Sequence, residues 1–166
     1  MHTNIWINVL AAIIPIVMGF VWYHPKVFGN AWMKEMGFDP ATPPTGNMAL
    51  IFGLTFVFGF FISVLMTSMV IHQYHLYSML MGVAGVDDPN TPIGGLVKSL
   101  MDQYGTNFRT FKHGALHGTI TGLLFVTPIM AINAMFDRKS RKYILINAGY
   151  WTITLALMGG VICQFA

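Results

Sequence analysis

Residues Met48–Ile71 read MALIFGLTFVFGFFISVLMTSMVI, which is 24 residues without any Asp, Glu, Lys or Arg. An α-helix rises ~1.5 Å per residue, so about 20 apolar residues cross the ~30 Å hydrocarbon core of a bilayer. Surface helices of soluble domains keep one face polar, whereas this stretch has no charged face. The stretch therefore predicts a helix that spans a membrane.

Three further stretches share this length and this absence of charge. They are Ile5–Tyr23, Ala115–Phe136 and Tyr143–Phe165, and the four stretches have between 19 and 24 residues. The chain is 55% hydrophobic and 9% charged, against about 25% charged in a typical soluble domain. We therefore expect an all-α fold, an integral membrane four-helix bundle that forms a single transmembrane domain over residues 1–166.

Two segments between the spans have the periodicity of amphipathic helices. In residues 26–38 and 93–111, apolar side chains recur at helical spacing while most charged side chains fall on other faces. Thr91 followed by Pro92 is typical of an N-cap and the first helical residue. Both segments are predicted to be helices that lie at the membrane interface. Residues 39–46 are rich in proline and threonine and are predicted to be a connector.

Basic residues are distributed unevenly between the two ends of the predicted bundle. One end has six in two short segments, and the other has three in the long loop 76–112. The six are Lys26, Lys34, Arg138, Lys139, Arg141 and Lys142, and the three are Lys98, Arg109 and Lys112. The positive-inside rule places the six in the cytoplasm, so both termini and the loop 76–112 are expected on the outer side.

Three segments carry distinctive motifs: WYHPKVFGNAW at residues 22–32, INAMFD at 132–137 and LINAGYW at 145–151. They resemble a widespread bacterial family of small four-span membrane proteins of unknown function. That family has a WY-x-P-x-x-F-G-x-x-W element after its first helix and an INAGY-type element in its last helix. The similarity covers spans one, three and four and becomes vague over residues 71–112. The resemblance implies a multi-pass protein of the bacterial inner membrane, and it supplies no activity, ligand or catalytic residue.

Four histidines at the ends of two spans are the candidate for chemistry. His72 and His75 lie where span two ends, and His113 and His117 lie where span three begins. Consecutive spans run antiparallel and residues three or four apart share a helix face, so both pairs are expected near the same membrane surface. Neutral imidazole binds transition metals, and facing helices of bundles form metal sites in this way. The pattern predicts a metal site, with haem ligation by two of the four as a variant.

The same four histidines also fit a purely structural role. Amphipathic side chains favour the interface, where one side of the ring is hydrated and the other is apolar. No cysteine or carboxylate joins them at ligand spacing. A polar, pH-sensitive cluster without a metal is therefore the competing interpretation.

A stripe of small residues runs along span three beside the histidines. It consists of Gly114, Gly118 and Gly122, spaced four residues apart. Such stripes let two helix backbones approach closely in lipid. The stripe predicts a packing surface for a neighbouring helix.

Other signals of activity are absent from the sequence. There is no Walker, dinucleotide-binding, HExxH or nucleophile-elbow pattern, no acidic or lysine side chain within the spans, and no basic-aromatic pattern for nucleic acid. These absences favour a non-catalytic accessory, scaffold or assembly subunit that contacts the lipid bilayer, as a homo-oligomer or within a larger membrane complex. The alternatives are a metal- or haem-binding protein that uses the four histidines, and an oligomeric small-molecule transporter or channel. No catalytic residue is assigned, and an enzyme is conceivable only around the histidines.

Overall fold

The computed structural model describes residues 4–38 and 46–166. Within these two ranges every regular element is helical and no strand is present. Four helical segments are long and apolar enough to cross a membrane: Ile5–Trp22, Met48–Val70, Phe111–Phe136 and Arg141–Phe165. The predicted all-helical fold with four candidate spans is confirmed for the described part of the chain.

The first span consists of two helices. Helix α1 covers Ile5–Ala11 and helix α2 covers Ile14–Trp22, with Pro15 in the first turn of α2. Proline has no N–H for the carbonyl one turn earlier, so the helix is interrupted just before it. The Tyr150 hydroxyl donates a hydrogen bond to the Pro15 carbonyl at 2.7 Å, which ties this break to the fourth span.

The first predicted interfacial helix is present after span one. A π-helical turn, Pro25–Gly29, leads into helix α3, Asn30–Met36. The helix ends at Gly37, whose φ of 72° is the left-handed conformation that glycine adopts without steric strain. The predicted connector at 39–46 lies outside the described residues except for Gly46.

The second span is helix α4, Met48–Val70, and it is followed at once by a short helix that the sequence did not predict. This helix, α5, covers Gln73–Met79. Between the two, Ile71 has an extended backbone with φ −107° and ψ 96°. A helix of seven residues is unstable in isolation, so its stability comes from tertiary contacts that local periodicity does not reveal.

The second predicted interfacial helix is shorter than expected. Helix α6 covers Pro92–Tyr104, and Thr91 caps it by accepting a hydrogen bond from the Gly94 N–H at 3.1 Å. The prediction of helix to residue 111 is wrong because the backbone of Phe108 is left-handed, with φ 63°. Phe111 belongs to the next helix.

The third and fourth spans form a hairpin. Helix α7, Phe111–Thr121, continues through a π-helical segment, Gly122–Val126, into helix α8, Thr127–Phe136. Helix α9 covers Arg141–Phe165. The third span begins four residues before the predicted Ala115, because the Thr110 side chain caps α7 by accepting from the His113 N–H.

Helix α9 is the central element of the bundle. Its buried side chains Leu155, Met158 and Ile162 form a core with Met66 and Val70 of α4. Large apolar side chains such as those of Leu65, Leu124 and Phe136 are exposed on the outside, as expected for helices in lipid.

A buried polar contact joins the first two spans. The Asn8 amide donates to the Thr67 hydroxyl at 2.7 Å, and the Ser63 hydroxyl donates to the Asn8 carbonyl at 3.1 Å. These bonds satisfy polar groups that lipid cannot, so they hold α1 against α4.

Candidate metal centre

The position of α7 is set by its glycines. A Cβ added at Gly114 would lie 2.0 Å from the carbonyl oxygen of Gly159, and one added at Gly118 would lie 2.0 Å from that of Leu155. A Cβ at Gly122 would also meet the α9 backbone, at 2.5 Å. Ordinary carbon contacts are about 3.5–4.0 Å, so only glycine allows this approach. The stripe therefore lies directly on α9 and fixes the rotation of α7 about its axis.

This rotation turns His113 and His117 toward the end of α4. Each precedes a stripe glycine by one residue, which places it about 100° around the helix from the α9 contact. Both side chains are partly buried, and their ring centroids are 4.6 Å apart. Two imidazoles on successive turns thus face in one direction.

His72 approaches them from the bend between α4 and α5. Its neighbour Ile71 is fully buried, and the side-chain amide of Gln73 donates to the carbonyls of Tyr104 and Asn107 at 3.2 and 3.0 Å. His72 itself is exposed, but the residues on either side of it are anchored. The bend is therefore held in place by contacts on both sides.

The three rings meet in a compact group, which we call the histidine trio: His72, His113 and His117. Nε2 of His72 lies 2.8 Å from Nε2 of His113, and the His72 ring centroid lies 4.9 and 5.0 Å from those of His113 and His117. One ring nitrogen from each of the three lies within 4.8 Å of the other two. Three of the four histidines named from the sequence therefore converge.

His75 lies next to the histidine trio and is not part of it. Its ring centroid is 6.4 Å from that of His72, and its Nδ1 is 3.3 Å from the His72 carbonyl oxygen. The side chain is exposed. His72 precedes α5 and does not belong to it, so the pair does not form one continuous helix face.

The electrostatics around His72 favour its neutral form. Although its side chain is largely exposed, partial desolvation, together with the neighbouring His113 and His75, lowers the pKa of His72 below its ordinary value. A neutral ring keeps a lone pair on one nitrogen, and this is the form that binds metal ions. The 2.8 Å contact fits one neutral ring donating its N–H to the other.

The spacing suits a single metal ion better than a haem. Zn–N bonds of ~2.0–2.1 Å in a tetrahedron place the nitrogens about 3.3–3.4 Å apart. The contact of 2.8 Å and the outer limit of 4.8 Å bracket that spacing, so small side-chain rotations would form the site. Two axial ligands of a haem must have a flat macrocycle between them, and the centroid distances of 4.6 to 5.0 Å within the trio are too short for two of its members to take these positions.

Phe108 is a neighbour of the trio that sequence periodicity misplaces. Periodicity assigns it to the apolar face of a long interfacial helix, but the structure puts its ring 5.9 Å from that of His72 and 5.1 Å from that of His113. A local signal does exist: Gly105, Thr106 and Asn107 are residue types that favour turns over helix.

Two of the three segments that carry the family resemblance, residues 22–32 and 145–151, meet at the opposite end of the bundle. The Trp22 indole donates to the Ile146 carbonyl at 2.9 Å, and the Tyr23 hydroxyl donates to the side-chain oxygen of Asn147 at 2.8 Å. The Tyr23 ring also packs 5.2 Å from that of Tyr150. We call these five residues the motif junction. No pattern in the sequence predicts this contact, although the end of span one and the start of span four share one membrane surface in a four-span topology.

Charged and hydroxyl groups fasten α3 to the same end. Glu35 accepts a hydrogen bond from the Ser140 hydroxyl and lies 3.8 Å from the Lys142 ammonium group. Ser140 also caps α9 by accepting from the Tyr143 N–H at 3.0 Å. Helix α3 is thereby linked to the turn between spans three and four.

Comparison with protein families gives one match. The model of a family described as "Protein of unknown function (DUF1761)" matches residues 6–163. Searches of the curated proteins and of the solved structures gave no match. Because the family model covers nearly the whole sequence, this chain belongs to the DUF1761 family of proteins of unknown function.

Proposed function

We propose that this protein is a multi-pass membrane protein that binds one transition-metal ion through His72, His113 and His117. The observation that carries the proposal is the convergence of three ring nitrogens within 4.8 Å of one another. Neutral imidazole is a common metal ligand, and facing helices of bundles form metal sites from side chains arranged in this way.

The ligand set indicates the kind of metal. Three imidazoles suit Zn²⁺, Cu²⁺ or Ni²⁺, whereas Mg²⁺ and Ca²⁺ prefer oxygen ligands and Cu⁺ prefers sulfur. Among the described residues the group contains neither a carboxylate nor a thiolate. We take Zn²⁺ as the reference ion, since it accepts three histidines and a fourth, exogenous ligand.

The backbone supports such a site before any ion arrives. Gly114 and Gly118 allow α7 to pack directly on α9. The anchored residues Ile71 and Gln73 hold His72 in position opposite His113 and His117. Ligands held by rigid elements lose little conformational freedom on binding, which raises affinity.

The trio is proposed to face the outer side of a bacterial inner membrane. Six basic residues lie at the motif-junction end, and three lie in the loop next to the trio. The positive-inside rule then puts the motif junction in the cytoplasm and the trio on the other surface. Metal exchange would take place on that outer surface.

The proposed role is binding and not catalysis, in keeping with an accessory subunit of a homo-oligomer or larger complex. Asn8, Thr67 and Asn147 form hydrogen bonds between helices, which gives these polar groups a role in packing. The exposed apolar surfaces of α4 and α8 are available to lipid or to another subunit.

The test is a zinc titration of the full-length protein, purified in detergent with a chelator and followed by calorimetry. Wild type is expected to bind one ion. His113→Asn and His117→Asn should each lose about 100-fold or more in affinity, because loss of a residue that only supports a ligand already costs about 10–100-fold. His75→Asn is the matched control and should bind like wild type. Equal affinity in wild type and both trio variants would refute the proposal.

A further inference from the structure

Phe108 holds a backbone conformation that its side chain disfavours. Its φ of 63° lies in the left-handed region, which is uncommon for a bulky residue. The carbonyl of Phe108 accepts hydrogen bonds from the Thr110 N–H at 2.9 Å and the Cys163 thiol at 3.2 Å, and these hold the conformation. Residues held in this way cluster at functional sites.

The conformation places the ring against two members of the histidine trio. The Phe108 ring is nearly perpendicular to that of His72, at 83°, and tilted by 33° to that of His113. The side chain is nevertheless 62% exposed, so it contributes little to the core. The ring thus lies beside both imidazoles while most of it faces the surroundings.

We infer that Phe108 is a lid on the proposed metal site. Three histidines leave a fourth coordination position of a tetrahedral ion for water or a small anion. An apolar ring packed beside His72 and His113 restricts the approach of chelators and exogenous ligands from its side of the site. The inference rests on the proposed function, because a lid has meaning only if the trio binds an ion.

A lid and a structural support have different consequences. A lid slows the arrival and the departure of the ion together, so it changes rates more than affinity. A ring that instead held His72 and His113 in their ligand geometry would change affinity, because misplaced ligands bind less well. The change in release rate relative to the change in affinity therefore distinguishes a lid from a structural support.

The experiment measures zinc release from the loaded, full-length protein to an excess of a chelating dye by stopped flow. Phe108→Gly removes the ring and relaxes the backbone, because glycine adopts positive φ freely. Phe108→Ala removes the ring but keeps the unfavourable φ, and Phe108→Leu keeps an apolar bulk. Phe165→Ala is the control, since Phe165 is 61% exposed on the neighbouring α9.

Glycine and alanine variants are both expected to release zinc about tenfold faster, with a much smaller change in equilibrium affinity, as for removal of a gating group. The leucine variant and the Phe165→Ala control should release zinc at nearly the wild-type rate. The melting temperature of the glycine variant should not fall, which separates the result from misfolding. Unchanged release rates, or a loss of affinity as large as the gain in rate, would overturn the lid. Absence of zinc binding by wild type would instead overturn the proposed function, and the lid with it.

Discussion

At the motif junction, each hydrogen-bonding group described meets a partner on another helix, whereas at the opposite end three imidazoles turn toward one another. The Trp22 indole donates a hydrogen bond to the Ile146 carbonyl, and the Tyr23 hydroxyl donates one to the Asn147 side chain. In the histidine trio, one contact of 2.8 Å joins two ring nitrogens, and one nitrogen of each ring lies within 4.8 Å of the other two. Satisfied polar groups hold helices together, while convergent lone pairs are suited to a ligand.

The family match assigns no function to either end of the bundle. Two of the three segments that carry the resemblance, residues 22–32 and 145–151, contact each other at the motif junction, where their hydrogen bonds join spans one and four. The family match covers residues 6–163, which include the histidine trio, and the description of the family names no ligand. The metal site is therefore proposed for this chain and is not inferred from family membership.

The largest effect on stability is expected from a substitution in the glycine stripe, where α7 packs on α9. Gly118→Ala would place a Cβ against the backbone of Leu155 and Ala156, so the unfolding free energy should fall by about 1–3 kcal/mol or more. Zinc affinity should fall with it, because His117 is carried on the same helix. Thermal unfolding in detergent and zinc titration measure the two effects.

Gly53→Ala is the matched control for that substitution. No atom lies within 4 Å of a Cβ added at Gly53, so alanine should leave the stability unchanged or raise it through helix propensity. Similar melting temperatures for Gly118→Ala and Gly53→Ala would show that α7 does not pack directly against the backbone of α9.

A smaller effect is expected at the motif junction. Tyr23→Phe removes the hydrogen bond to Asn147 and should lower the unfolding free energy by about 1 kcal/mol, near the range for interhelical bonds in membranes. Zinc affinity should be unchanged, since the trio lies at the other end. A loss of zinc binding in Tyr23→Phe would contradict the separation of the two ends.

The smallest effect is a pH dependence of the metal-free protein. The pKa of His72 is lowered in the folded state by partial burial and by neighbouring histidines. As the pH falls from about 7 to about 5, the unfolded chain binds its proton first, so the folded state loses stability. The melting temperature should fall over this range in wild type and in Tyr23→Phe, and fall less in His72→Gln. A melting temperature of wild type that does not change between about pH 7 and about pH 5 would contradict a lowered pKa of His72 in the folded state.

The spans are readable from sequence because length and absence of charge are local properties. The bend that carries His72 cannot be predicted in this way, because the bend is held by hydrogen bonds from the Gln73 amide to carbonyls 31 and 34 residues away. Antiparallel spans predict that the histidines meet at one surface. The outlying position of His75 and the contact of Phe108 depend on backbone conformations at Ile71 and Phe108, which periodicity does not encode.

The most direct test of the central claim is X-ray absorption spectroscopy at the zinc edge on the loaded, full-length protein. The account predicts three imidazole nitrogens at ~2.0–2.1 Å and one further light atom in wild type, with two imidazoles remaining in His117→Asn. A zinc shell with fewer than three imidazoles in wild type, or one that His117→Asn leaves unchanged, would contradict the metal site.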